Sequence, residues 1–388
     1  MERKLRTVFL FPQVYRPLNV DFARKFELLS SRASGYIFTF CSRRYKNLVI
    51  ADFRLWSGIV VSTSTSRVLK GIWVQILYPI WLIWRQYHID VVITYDPYAD
   101  GFAGIILKLF LRTKLLVEIN GDYHQQDPAK HAFKRWLMRA LYHICVRSAD
   151  AIKVLNRDQE NFINKRYPEK KIFRFPSLIA TEFFRSLEHY QGDYLLSVGT
   201  EFERKGIDIL IRAFNQISGK HPNIKLKIMG YCPENEIRKY LELASGNSKI
   251  EFIKAGWIED VGEQMRGCYA LVSAARSEAM GRVHFEAMAC KKPIVTTRTN
   301  GGLDYIEDGR TGLLCDIGNV DDLAMKLDWL VSRPTVAAQM GQKAFERLQK
   351  EFSEEKYAEK FFEMIEEVVN CKNLNFTTDK PSASVNAN

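Results

Sequence analysis

Short apolar runs alternate with amphipathic segments along the chain, and this alternation constrains the fold more than any other feature. Asp90–Tyr95 (DVVITY) and Lys114–Ile119 (KLLVEI) have the length and β-branched composition of buried strands, and the helical pattern GFAGIILKLFL lies between them. In the second half, the strand pattern DYLLSVG precedes the amphipathic segment IDILIRAFNQI. Strand–helix alternation predicts parallel sheets covered by helices, which is an α/β fold. The 388 residues suffice for two such domains.

The stretch from Cys268 to Thr297 reads as strand, loop, helix and strand. Cys268–Ala275 is a short apolar run, 276–281 is a polar turn that ends in glycine, and Arg282–Cys290 has an apolar helical face. Pro293 stops this helix, and Ile294–Thr297 is the next strand. The first amides of a helix have no partner within it and carry partial positive charge. This helix start therefore predicts a phosphate site.

Two glutamates, Glu278 and Glu286, bracket the start of this helix with seven residues between them. One interpretation is an acid near a helix N-terminus and a second acid on a solvated helix face. A hydrolytic carboxylate pair would need a separation of roughly 5–9.5 Å, whereas eight helical steps span about 12 Å. The spacing fits better with two hydrogen-bond acceptors that hold ligand hydroxyl groups on either side of an anion.

The pattern Glu278, seven residues and Glu286, continued by Ala-Met-Ala-Cys and Lys-Pro-Ile-Val, resembles the E-x7-E signature of retaining GT-B glycosyltransferases of family 4 (group 1). The resemblance extends over about residues 88–365. It implies that Glu278 faces the donor sugar and that Glu286 binds the ribose of a sugar nucleotide. It also implies that backbone amides of Gly281, Arg282 and Val283 hold the diphosphate.

The charged loop TEFERKG, after the first strand of the second half, could be no more than a solvated turn. In the family this loop supplies a lysine before a glycine, which Lys205-Gly206 matches, and an earlier arginine, whose place is Thr200 here. We infer that Arg204 replaces that arginine, because a guanidinium suits phosphate oxygens. By the same resemblance, Trp257 lies beside the nucleotide base, and it could equally be a core residue.

The acceptor side departs from the family pattern in two places. Arg16 and Pro17 stand where members often carry a glycine pair, so acceptor recognition cannot be transferred. Asn120, before Gly121, stands where a histidine is common; asparagine hydrogen-bonds a sugar hydroxyl but transfers no proton. His124 is an alternative for that histidine, or a solvated loop residue. No G-x-G-x-x-G follows the first strand, which weakens a dinucleotide oxidoreductase reading.

The resemblance implies a GT-B architecture, in which two Rossmann-like parallel-sheet domains face a central cleft. We expect an acceptor domain at 1–187, a nucleotide-sugar domain at 188–350 and a helix at 351–371 that crosses back onto the first domain. The polar residues 372–388 predict a disordered tail.

Positive charge is concentrated in the first half of the chain. The net charge is +11, but residues 1–186 carry 30 Lys and Arg against 15 Asp and Glu. A basic half indicates an anionic partner surface, and no nucleic-acid motif accompanies it, so we expect no nucleic acid. The aromatic run Gly71–Trp84 is too short to span a bilayer; it is either a buried helix or an interfacial one.

The seven cysteines show no C-x-x-C spacing, and the N-terminus lacks the features of a signal peptide. We therefore expect a cytoplasmic protein, with possible peripheral contact at the inner membrane face.

The combined interpretation is a retaining glycosyltransferase (EC 2.4) that moves a sugar from a UDP- or GDP-sugar to a glycan or lipid-linked acceptor, in polysaccharide or glycolipid assembly. Glu278 and Asn120 are the candidate catalytic residues. No Asp-x-Asp pair is present, so we expect no metal, and no cofactor is expected. The alternatives are a GT-B sugar-nucleotide epimerase and a non-catalytic protein that binds sugar nucleotides or lipid surfaces.

Overall fold

The computed structural model describes residues 3–12, 20–41, 45, 47–59, 73–77, 79–81, 88–123, 132–184, 192–254 and 258–370. The strands are β1 (Leu5–Leu10), β2 (Ala33–Cys41), β3 (Leu48–Ile50), β4 (Phe53–Ile59), β5 (Val91–Thr94), β6 (Lys114–Ile119), β7 (Ala151–Val154), β8 (Lys171–Arg174), β9 (Tyr194–Val198), β10 (Lys225–Gly230), β11 (Ile250–Lys254), β12 (Ala270–Ser273), β13 (Ile294–Thr297) and β14 (Leu313–Cys315). The α-helices are α1 (Val20–Leu29), α2 (Ala99–Leu111), α3 (Ala132–Ser148), α4 (Arg157–Arg166), α5 (Ile207–Ile217), α6 (Glu234–Ala244), α7 (Ile258–Gly267), α8 (Arg282–Ala289), α9 (Asn300–Tyr305), α10 (Val320–Val331), α11 (Pro334–Glu351) and α12 (Glu354–Asn370).

These elements form two parallel sheets, as the alternation predicts. The first sheet has the order β3-β4-β2-β1-β5-β6-β7-β8 and is parallel except for the β3–β4 pair. Helix α1 covers one face, and α2 and α3 cover the other. The second sheet has the order β11-β10-β9-β12-β13-β14, with every pair parallel. The α/β prediction is thereby confirmed.

The last helix returns to the first domain. Phe361 of α12 is fully buried and stacks on Phe9 of β1 at a ring-centroid distance of 6.2 Å. At the start of α12, Glu354 accepts a hydrogen bond from Arg24 of α1 at 2.7 Å. The helix therefore completes the core of the first domain, as the GT-B resemblance implies. The predicted boundary at 187/188 and the tail at 372–388 lie outside the described residues.

Each sheet changes winding direction at one position, and such switch points are where ligands of open α/β sheets bind. In the first sheet the switch lies between β1 and β5, and in the second between β9 and β12. The carboxyl ends of β9 and β12 carry the loops that contain Lys205 and Glu278, whereas Asn120 follows β6, one strand away from the switch point of the first sheet.

Several elements escaped the sequence analysis, among them β4, α3, α4, β8 and α7. Strand β4 (FRLWSGI) contains a charged residue within its apolar run, and its pairing with both β2 and β3 is a tertiary feature. Helix α3 exposes Phe133 and Trp136, so its apolar residues do not form a single stripe. The run 71–84 is described only in part: a π-helix at Trp73–Leu77 has Gln75 buried, whereas Leu77 is exposed.

Candidate active site

Two loops of the second domain meet at its switch point. One follows β9 and runs from Gly199 to Gly206, and the other, 274–281, follows β12. The backbone N–H of Arg276 donates to the carbonyl of Arg204 at 2.8 Å. Gly206 has a positive φ of 64°, and a Cβ there would lie 2.0 Å from the Ala274 carbonyl oxygen. Glycine is therefore required for the two loops to pack this closely.

Two cations converge on the Glu278 carboxylate. Lys205 Nζ donates to its Oε2 at 2.6 Å, and an Arg204 guanidinium nitrogen lies 3.5 Å from the same oxygen. That guanidinium also donates to the Ser277 carbonyl at 3.1 Å. Burial by itself raises the pKa of Glu278, but Lys205 and Arg204 outweigh it, so the net shift is downward and the carboxylate is ionised. The predicted diphosphate cations and the predicted sugar-binding acid are thus in one cluster.

The start of α8 lies beside this cluster. Gly281 is its N-cap in the left-handed conformation, with φ of 77°. The amides that follow Gly281 have the helix-terminal orientation that favours an anion. Gly281 follows Glu278 by three residues, and His284 in the first turn of α8 interacts electrostatically with both Glu278 and Lys205. That the amides of Gly281, Arg282 and Val283 hold a diphosphate stays a prediction.

Glu286 lies on α8 with its carboxylate almost completely buried. Arg282 Nε donates to Glu286 Oε1 at 2.7 Å, and the same guanidinium forms an ion pair with Asp21 of α1. Burial raises the pKa of Glu286, and Arg282 opposes that rise. The Arg282 side chain thus joins the candidate ribose acceptor to the first domain. Asp21 lies one residue inside α1 and also accepts a hydrogen bond from the Ala180 amide at 2.7 Å.

Asn120 lies at the carboxyl end of β6, facing the domain junction. Its Nδ2 donates to the Tyr95 carbonyl at 2.8 Å, and its Oδ1 accepts from Ser177 Oγ at 3.2 Å. These contacts fix the orientation of the amide. Gly121 follows, and a Cβ there would lie 2.9 Å from the Tyr123 ring.

A buried polar network joins the two domains next to the site. Asp122 Oδ1 accepts from Asn156 and Gln159, each at 3.0 Å, and its Oδ2 accepts from Asn300 of the second domain at 3.1 Å. Asn156 also donates to the carbonyl of Ala279, within the 274–281 loop, at 2.9 Å. These bonds hold the Glu278 loop against the first domain.

Sequence reasoning did not identify Asp122, Asn156 and Asn300 as partners, because residues so far apart in the chain give no signal of their proximity. His284 was also missed: it is a fully buried histidine within the E-x7-E motif, and its polar ring on an apolar helix was the available signal. The predicted residues Arg16, His124 and Trp257 lie outside the described residues, so their roles stay predictions.

Comparison with known proteins relates the chain to glycosyltransferases. Residues 179–347 match the family model described as glycosyl transferases group 1. An uncharacterized glycosyltransferase of Methanocaldococcus jannaschii is 26% identical over 361 residues, which are 89% of this chain and 94% of that protein.

The lipopolysaccharide core biosynthesis glycosyltransferase LpsE of Rhizobium meliloti is 27% identical over 172 residues, and the match spans 49% of its length and 44% of this chain. Among solved structures, Anabaena HepE in complex with UDP and glucose superposes with a TM-score of 0.70 over 93% of this chain and 99% of that one, at 14% identity. At that identity the likeness concerns the fold.

Proposed function

The chain belongs to the glycosyl transferases group 1 family and is a glycosyltransferase with the GT-B fold; from this premise we propose that it transfers a sugar, with retention of configuration and without a metal ion, from a nucleoside-diphosphate sugar to a glycan or lipid-linked acceptor. Family membership favours transfer over the epimerase and binding-only alternatives. The observation that carries the proposal is the convergence of Lys205 and Arg204 on Glu278 beside the N-terminus of α8.

In the proposed complex the diphosphate lies on the first amides of α8, and Lys205 and Arg204 turn from Glu278 towards its oxygens. The bond between the anomeric carbon and the diphosphate breaks, so negative charge grows on the leaving group. The two reoriented cations and the helix terminus stabilise that charge where it develops. In a metal-dependent enzyme, a divalent metal ion would stabilise the charge on the leaving diphosphate instead.

The sugar lies between the two domains. Glu278, released from its cations, accepts hydrogen bonds from sugar hydroxyls, and Glu286 accepts those of the ribose. Asn120 Oδ1 accepts one bond from Ser177 and has a second lone pair for a sugar hydroxyl. The acceptor hydroxyl attacks from the face that the diphosphate leaves, and its proton passes to a phosphate oxygen.

A thermal-shift screen with UDP-, GDP- and ADP-sugars tests the donor, since a ligand that binds the native state raises the melting temperature. Lys205→Ala and Glu278→Ala are then assayed for transfer. We expect each to lower kcat by roughly 10²-fold or more, as when one stabilising group is removed from a developing anion. Lys225→Ala is the matched control, because Lys225 forms an exposed ion pair with Asp193 at the opposite end of the sheet. Undiminished transfer in both site variants would refute the assignment.

The first domain also carries a surface that fits an anionic membrane. Helix α3 has no acidic residue, contains Lys134, Arg135, Arg139 and Arg147, and exposes Phe133 and Trp136 by 74% and 65%. The neighbouring helix α2 exposes Leu109 and Phe110 by 70% and 67%. Basic residues between exposed aromatic side chains are typical of interfacial helices.

None of the helices in the described ranges is long and apolar enough to cross a bilayer, so the proposed contact is peripheral. Such a contact would bring the junction of the domains to a lipid-linked acceptor. Sedimentation with vesicles of phosphatidylglycerol, compared with phosphatidylcholine, tests it at low and high salt. We expect binding to the anionic vesicles that weakens with salt and with Phe133→Ser and Trp136→Ser. Leu241→Ser, at a 47% exposed position of the second domain, is the control. Equal binding by all variants would contradict the proposal.

A further inference from the structure

His284 is a buried histidine with one ring nitrogen that the fold leaves unused. The residue lies on α8 and is completely inaccessible to solvent. Its Nε2 lies 3.0 Å from Thr296 Oγ1 of β13, whereas its Nδ1 has no hydrogen-bond partner among the described residues. Buried polar atoms are normally paired, because leaving one unpaired costs free energy. An unpaired nitrogen in the middle of the family motif therefore indicates a missing partner.

The unused nitrogen lies at the anion site. A Cβ placed on Gly281, the N-cap of α8, would be 2.3 Å from His284 Nδ1, so this nitrogen packs directly against the N-cap residue and leaves no room for a side chain there. The ring also interacts electrostatically with Glu278 and Lys205. Nδ1 thus lies at the helix start, and the ring that carries it interacts with the lysine and the glutamate of the proposed donor site.

The Thr296 contact indicates which nitrogen carries the proton. The Thr296 hydroxyl has no other hydrogen-bond partner in the described part of the chain. If the hydroxyl donates to Nε2, its hydrogen is satisfied and Nδ1 carries the ring proton. The opposite tautomer would leave both the hydroxyl hydrogen and the Nδ1 lone pair without partners, with that lone pair facing the anion site.

We propose that His284 Nδ1–H donates a hydrogen bond to a phosphate oxygen of the sugar nucleotide, together with the first amides of α8. The proposal rests on the proposed function. It adds a donor-binding residue, which acts as a neutral donor and transfers no proton. Burial lowers the pKa of His284 to about 4, which keeps the ring neutral near pH 7.

Two variants separate the ring nitrogens. In His284→Asn the side-chain NH2 stands near the position of Nδ1, whereas in His284→Gln it reaches the position of Nε2. Titrations use UDP and, as a probe without phosphates, uridine. We expect His284→Asn to bind UDP within about threefold of wild type and His284→Gln to lose roughly tenfold or more, the scale of a bond to a charged acceptor. Uridine affinity should change in neither.

A measurement on the unmodified protein avoids any effect of substitution on folding. With ¹⁵N-labelled histidine, we expect His284 to show a protonated Nδ1 whose resonance shifts when UDP saturates the site. A protonated Nε2, a Nδ1 resonance that UDP leaves unchanged, or equal UDP affinity in both variants would overturn the proposal. Equal loss of affinity and of melting temperature in both variants would also overturn it, as the sign of a structural role. If wild-type protein binds neither UDP, GDP nor ADP, the proposed function fails instead.

Discussion

Replacing Gly281 by alanine tests whether the left-handed N-cap of α8 and the His284 ring form one unit. The residue has φ of 77°, a region that costs an L-amino acid about 1–2 kcal/mol. The new Cβ would also lie 2.3 Å from Nδ1 and 2.4 Å from Cε1 of His284. Ordinary contact begins near 3.4 Å, so the ring must move by about 1 Å.

Moving the His284 ring lowers the stability of the fold. The ring is completely buried, and a displacement of this size breaks its hydrogen bond to Thr296, which contributes about 1 kcal/mol. Overpacking adds about 1–3 kcal/mol. We therefore expect Gly281→Ala to lower the free energy of unfolding by about 3 kcal/mol or more and to weaken nucleotide binding.

The chain offers a matched control for the backbone contribution. Gly309 has nearly the same φ, 76°, and a Cβ there would meet nothing within 4 Å. Gly309→Ala should therefore cost only about 1–2 kcal/mol and leave nucleotide affinity unchanged. Urea unfolding and UDP titration of both variants provide the comparison. Equal losses of stability, or unchanged UDP affinity in Gly281→Ala, would refute the reasoning.

Three further predictions concern buried groups. The Glu118 carboxylate lies in the core between the Nζ atoms of Lys25 and Lys153, at 3.1 and 3.3 Å. Glu118→Gln should lower the free energy of unfolding in urea by about 3–5 kcal/mol, because it leaves two buried cations unpaired. Lys153→Met should lower it far less, and similar losses in the two variants would contradict this account. The pKa of His284 is about 4 in the folded protein, against 6.5 for an unperturbed histidine, so the unfolded state binds more protons between these two pH values. The free energy of unfolding should therefore fall by about 1 kcal/mol more in wild type than in His284→Asn between pH 6.5 and 5.5. Parallel pH profiles of stability in the two proteins would contradict this prediction. Phe361→Ala should cost about 3–5 kcal/mol by opening a cavity beneath α12, measured by thermal unfolding, and a loss under 1 kcal/mol would show that the helix packs loosely.

Much of the second domain could be predicted from sequence, because its signals are local. Helix α8 begins at Arg282, as the motif and Gly281 indicated, and Lys205-Gly206 precedes α5. A glycine that ends a turn, a helical apolar face and a proline stop each act over a few residues.

The first domain was less predictable. Strand β4 owes its place to pairing with β2 and β3, and α3 exposes aromatic residues that blur its helical pattern. Asn120 was recognised as a departure from the family pattern. Its amide is held between Tyr95 and Ser177, which are distant in the chain, so this orientation could not be predicted from local sequence.

The sequence by itself determined the α/β alternation and the spacing of Glu278 and Glu286, because strand and helix periodicity and motif spacing are encoded locally. Only the tertiary structure decided that Lys205 and Arg204 pair with Glu278, that Arg282 joins Glu286 to Asp21, and that His284 Nδ1 finds no hydrogen-bond partner among the residues that the structure describes. Those relations depend on side chains separated by many residues, and their energies arise from burial and charge pairing that exist only once both domains have folded.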